Sequence, residues 1–299
     1  MCYNMFAKSL AVLSIAAIAH GRVVVVNERQ AAAPAIVFDG RVKSTATQAD
    51  FDTATGPFGK DFVKGQNLTF STLVAFPNVP ASLFDTAVGA KPIEVQINDK
   101  SIFVPGDVAA NAQTAVRRTE LNPNGGGNTT VGIKTLHVSL QPSAAHPLNI
   151  SHEYLLTFLE RSDFGANLFQ LRTGTLLGSD GSSKNDLVLQ GNTAAGTKTL
   201  FTTPFTAGVF TNLALQMDFT ANTIQVFQSS GTAPLAKATE PLPNDLSGNG
   251  QFHFGANKNP VNPGADVKTT GFQESGILEG VVYGGIFIED TASGSVTLS

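Results

Sequence analysis

The sequence predicts an all-β chain, folded as a two-sheet antiparallel β-sandwich of jelly-roll type, and three observations carry that expectation. Apolar residues recur at every second position along several short runs, clusters of turn-forming residues separate those runs, and no convincing amphipathic helix exceeds two or three turns. The chain of 299 residues is 42% hydrophobic and only 14% charged, which suits a large core beneath a surface rich in neutral polar side chains. No repeat of fixed period and no mid-chain linker divides it, so a single domain over 34–299 is expected.

Taken in order, residues 1–21 resemble a secretory signal peptide. Lys8 precedes an apolar run from Leu10 to Ala19, and Ala17-Ile18-Ala19 supplies small residues for cleavage. The run is too short to span a bilayer and no later segment is longer, so a secreted, extracellular protein with no membrane-embedded part is expected. Residues 22–33 read as a short linker. Cys2, the only cysteine, falls in the leader, so the processed chain would depend on its core rather than on a disulfide. Export would make glycosylation candidates of Asn67-Leu68-Thr69, Asn128-Thr129-Thr130 and Asn149-Ile150-Ser151.

Val79 to Phe84 supplies at most one helical turn. Ile93 to Ile97 alternates as a half-buried strand does, and so does Leu213 to Phe219, with Leu213, Leu215, Met217 and Phe219 on one face. A turn at Thr220 to Thr223 leads into Ile224-Gln225-Val226-Phe227, the pattern of a hairpin. Val281 to Ile288 is apolar enough for a central strand covered on both faces, with Gly284 and Gly285 allowing a bend or close packing.

Chemistry-bearing residues sit on three such strands. In Arg117-Arg118-Thr119-Glu120-Leu121, strict alternation puts Arg118 and Glu120 on one face, as a structural ion pair or as part of a binding site. In His152 to Arg161, alternation places His152, Tyr154, Leu156, Phe158 and Glu160 together, and Glu153, Leu155, Thr157, Leu159 and Arg161 opposite. Glu160 beside apolar rings has the setting in which a carboxyl is kept partly protonated. In Gln251-Phe252-His253-Phe254-Gly255, the histidine points away from two flanking rings, and it is the best candidate for proton transfer near neutral pH.

Several classes are disfavoured. A net charge of -4 without a Lys/Arg run gives no purchase on nucleic acid. His137, His146 and His152 have no metal-ligand spacing, and neither an HExxH pair nor an Asp-rich calcium loop is present. Gly125 to Gly127 lacks the lysine and helix of a phosphate loop, and no serine elbow occurs. No metal and no cofactor is expected.

Six stretches carry a resemblance in the same order along the chain: Ile36 to Val42, Phe62 to Thr69, Arg117 to Leu121, Ser151 to Arg161, Gln251 to Gly255, and Gln273 to Gly280 followed by Tyr283 to Asp290. Together they resemble the catalytic domain of glycoside hydrolase family 131. The resemblance implies a secreted enzyme that cleaves β-1,3, β-1,6 and β-1,4 bonds of β-glucan, and a monomer is expected. It also implies that Arg118, Glu120, Glu160 and His253 converge on one groove. Glu120 is then expected as the principal acid/base, with Arg118 orienting it and Glu160 or His253 as its partner. The chain has no Trp, so Tyr and Phe are left to stack on sugar rings. Two other readings fit the same pattern: a glucuronan-type polysaccharide lyase, marked by basic residues along the groove, and a non-catalytic glycan-binding or effector protein.

Overall fold

The computed structural model describes residues 33–125 and 127–299, together with the backbone of a short antiparallel pairing of Ile18–Ala19 with Arg22–Val23. The expected signal peptide and linker lie outside the described residues except for that pairing and Ala33. Residues 33–299 form one compact unit.

That unit is a sandwich of two antiparallel sheets, as the alternating runs require. We number its main strands β1 (Ala35–Asp39), β2 (Val74–Ala75), β3 (Ile93–Asn98), β4 (Arg117–Leu121), β5 (Ile133–Pro142), β6 (Glu153–Arg161), β7 (Asn167–Gly174), β8 (Asp186–Gln190), β9 (Thr199–Pro204), β10 (Thr211–Asp218), β11 (Thr223–Ser230), β12 (Gly250–Lys258) and β13 (Leu278–Asp290). The six-stranded sheet has the order β9-β8-β7-β6-β12-β4. The nine-stranded sheet runs β11-β10-β5-β13-β3-β2, with β1 added on β13 and the short strands Ala236–Lys237 and Leu242–Pro243 on β11. Among the described residues the one α-helical turn, α1, spans Leu83–Thr86 and is capped by Ser82, whose hydroxyl accepts from the Asp85 N–H.

The core lies between the sheets. Leu121, Leu156, Leu159, Leu171, Leu189, Phe252 and Phe254 from one side meet Val95, Leu136, Val138, Leu213, Leu215, Ile224, Val281 and Tyr283 from the other. Each fully buried aliphatic or aromatic side chain of this kind contributes about 1.5–3 kcal/mol. The other face of β13 is covered too: Phe287 packs with Phe84, Ala214 and Leu235 in a second apolar cluster. Gly284 and Gly285 make that close approach possible. A Cβ at Gly284 would meet the Asp85 carboxylate at 2.3 Å, and Gly285 has φ +58° while its N–H donates to Asp85 at 3.0 Å.

Two local features place the residues of interest. The first is the free edge of β4, which loops cover: the Glu120 N–H donates to the Val63 carbonyl, the Arg118 N–H to Ser101, and Gly59 N–H to Asn122. The second is a break in the alternation of β6. Leu155 pairs with Arg172 but Thr157 pairs with Leu171, so one extra residue, Leu156, is inserted against β7. Tyr283, reaching from the opposite sheet, engages the backbone groups beside this break. Its hydroxyl accepts from the Gly255 N–H at 3.1 Å and lies 2.7 Å and 2.9 Å from the carbonyls of Gly255 and Leu156.

The break corrects the face assignment that strict alternation predicts for β6. Tyr154 and Leu156 go into the core. Glu153 and Leu155 instead join Phe158 and Glu160 on the outer face of the six-stranded sheet, because each residue directly opposite another across a ladder shares its face. A one-residue slip inverts every side chain beyond it, and here it falls in the middle of β6, so Phe158 and Glu160 face opposite to Tyr154 and Leu156.

Candidate active site

The outer face of the six-stranded sheet brings Arg118, Glu120, His253 and Glu160 into one line. Arg118 grips Glu120 through two parallel bonds, Nε to Oε1 at 3.0 Å and Nη2 to Oε2 at 2.9 Å, and its remaining terminal nitrogen donates to Gln113 at 2.9 Å. Glu120 Oε2 lies 2.9 Å from His253 Nδ1. On the other side of the ring, Nε2 is 3.4 Å from Glu160 Oε2.

Strand register explains the convergence. Gly255 sits opposite Glu120 and Phe158 opposite His253, so β4, β12 and β6 present these groups side by side. A Cβ at Gly255 would lie 1.9 Å from the Thr119 carbonyl oxygen and 2.9 Å from Glu120 Cα, so glycine permits the close approach of β12 to β4. The Phe158 ring stacks on the imidazole with centroids 4.2 Å apart and 14° between planes, which fixes its orientation.

Exposure grades along the line. The Glu120 side chain is fully enclosed, that of His253 is 3% exposed, and that of Glu160 is 27% exposed. Burial alone would push the Glu120 carboxyl up, but the Arg118 charge and the His253 hydrogen bond outweigh it and hold the carboxyl at about 2. Burial likewise pushes His253 down, and its bonds and charges from Glu120 and Glu160 overcome this and raise it. The line is therefore an ionised carboxylate, an imidazole that favours its protonated form, and a solvent-facing carboxyl group. Such an arrangement can hold a proton on the imidazole beside an accessible carboxyl group.

Three partners are not legible in the sequence reading: Gln113 under Arg118, Phe158 stacked on His253, and Glu153, which binds Arg172 at 2.6 Å on the same face. Alternating polar positions in Asn167 to Gly174 are a signal for the last pair. His137, His146 and His152 lie elsewhere, each against a different glutamate: Glu289, Glu94 and Glu274. Among the described residues no group of three His, Cys, Asp or Glu side chains has metal-holding geometry. No helix of the described residues is long and apolar enough to cross a membrane.

The model of the glycoside hydrolase 131 catalytic N-terminal domain matches residues 36–294, nearly the whole compact unit. This chain belongs to glycoside hydrolase family 131. It is similar to the crystal structure of a GH131 β-glucanase catalytic domain from Podospora anserina, with 23% identity, TM-score 0.68, and coverage of 88% of this chain and 98% of that one. It is also similar to the family 131 catalytic domain from Coprinopsis cinerea, with 23% identity, TM-score 0.65, and 89% and 97% coverage. No curated protein matches the chain. Family membership makes the protein a glycoside hydrolase and accounts for its jelly-roll sandwich.

Proposed function

We propose that this family 131 enzyme hydrolyses β-glucan with broad linkage tolerance on the outer face of its six-stranded sheet. The observation that carries the reading is the continuous line Arg118, Glu120, His253, Glu160, which grades from enclosed to exposed. Hydrolysis of a glycosidic bond needs one group to protonate the leaving oxygen and another to activate water or attack the anomeric carbon. Enclosure and a pKa near 2 make Glu120 a poor proton donor to substrate, so its part is to anchor and charge His253, with Arg118 holding it in turn. Glu160 meets the substrate, and His253 exchanges protons with it. This inverts the order of importance that the sequence suggests for Glu120 and its partners.

Broad linkage tolerance is part of the proposal; of the four side chains Glu160, at 27%, is the most exposed to a glucan. A hollow of about 580 Å³ between Asp39, Arg41, Asp50, Phe51 and Phe58 contains none of the four residues. Both arginines on the face, Arg118 and Arg172, are already paired with carboxylates, which favours a neutral glucan over the uronate of a lyase. We also propose export, with glycan on Asn67, Asn128 and Asn149, all exposed.

Incubation of purified protein with laminarin, pustulan, a cellulosic substrate and glucuronan, with products separated by size, tests the reading. Saturated oligosaccharides from more than one of the three glucans are expected. An ultraviolet-absorbing product from glucuronan would establish the lyase instead, and no product from any would leave a non-catalytic binder.

A further inference from the structure

Beside the proton line, the same sheet face carries a second polar construction. Glu153 Oε1 accepts from Arg172 Nη1 and Asn259 Nδ2, both at 2.6 Å, and its other oxygen accepts from the Leu177 N–H at 2.9 Å. Arg172 Nη2 donates to Gln170 Oε1 at 2.9 Å, and Asn167 donates to the same oxygen at 3.0 Å. The Gln170 amide then donates to Gln190 at 3.1 Å. The result is a ladder crossing β6, β7 and β8.

The ladder shares β6 with the proton line: Phe158 on that strand pairs with His253 on one side and with Gln170 on the other. Three properties suit it to a sugar. The Glu153 carboxylate balances the Arg172 charge, so the ladder offers hydrogen bonds without net charge. Its buried members are bonded to one another, which fixes the directions of the outer amides, while Asn167, Arg172 and Gln190 remain partly exposed. Amides offer both donors and an acceptor, and the guanidinium further donors, to sugar hydroxyls.

Position adds a direction. The proton line lies at the β4 end of the sheet, whereas β7, β8 and β9 continue on the other side. At about 4.8 Å per strand, that is roughly 14 Å of face. Resting on the hydrolytic reading above, we infer that Asn167, Arg172 and Gln190 form a neutral-glucosyl subsite on the β7 to β9 side. The enzyme then gains from each added sugar on that side and acts preferentially on longer chains.

The test is kcat/KM on laminari-oligosaccharides from disaccharide to hexasaccharide for the wild type, Gln190→Ala and Asn167→Ala, neither of which strands a buried charge. Each variant is expected to lose about five- to tenfold on the hexasaccharide, the effect of one neutral hydrogen bond, and nothing on the shortest substrate cleaved. A length dependence identical to wild type in both variants overturns the subsite. Should the wild type cleave no glucan, the hydrolytic reading fails and titration of laminarihexaose decides the ladder separately. Binding weakened by Gln190→Ala in a Glu160→Gln background supports it, and unchanged or absent binding overturns it.

Discussion

Glu120→Gln tests the anchoring role directly, because it removes one charge from an enclosed position at almost constant shape. The carboxyl is held at about 2 against an ordinary 4.5. That difference corresponds to about 3 kcal/mol of stability at neutral pH. In a domain of this size it lowers the melting temperature by roughly 6–12 °C. Gln113 still accepts from Arg118 in the variant, so the guanidinium keeps one partner. His253 loses the first of the interactions that raise its pKa, leaving only the bond and charge of Glu160 against burial, which lowers it. Its proton is then released at lower pH, and the alkaline limb of the pH-rate profile moves down. Turnover of glucan falls by about 100-fold or more, as for a lost component of acid/base catalysis. Thermal unfolding followed by circular dichroism, with hydrolysis rates across pH, measures all three. An unchanged melting temperature together with an unmoved alkaline limb would refute the proposed coupling of Glu120 to His253.

Other consequences follow from the same contacts. Stability from the Glu120–His253 couple is complete between about 4.5, above which Glu120 is ionised in the unfolded chain, and about 6.5, below which His253 is protonated there. It is lost as pH falls toward 2 and as pH rises through the elevated pKa of His253, so melting temperature against pH should peak in that window for the wild type and flatten in His253→Ala. Glu153→Gln leaves the half-buried Arg172 without its charge partner and should cost about 3–5 kcal/mol in chemical denaturation. Gly284→Ala drives a methyl into the Asp85 carboxylate and Ser82 and should cost about 1–3 kcal/mol, read in the same experiment.

Much of the fold is legible because its signals are local. The alternation of Leu213, Leu215 and Met217 places those side chains in the core, and the apolar run of β13 marks a strand buried on both faces. His253 is legible for the same reason: Phe252 and Phe254 commit to the core, and the residue between them has only the outer face left. What local pattern does not contain is the phase of β6. Tyr154, Leu156, Phe158 and Glu160 look like one face, but the inserted residue divides them into two. The partner that accommodates the insertion, Tyr283, is 127 residues from Leu156 in the chain.

That break also ties the fold to its chemistry. Were β6 regular, a phase that puts Tyr154 and Leu156 in the core would put Phe158 and Glu160 there as well, and His253 would lose both its stacking ring and its second carboxylate. The same phase would leave Glu153 on the outer face beside Arg172, so the ladder would survive without the proton line. Only with the insertion do Glu153 and Glu160, seven positions apart and thus of opposite parity, reach one surface. The hydroxyl of Tyr283, enclosed and held un-ionised by burial, supplies hydrogen bonds at that insertion. Tyr283 is accordingly a positioning residue for the whole face, acting through the backbone of β6 and β12 from the opposite sheet.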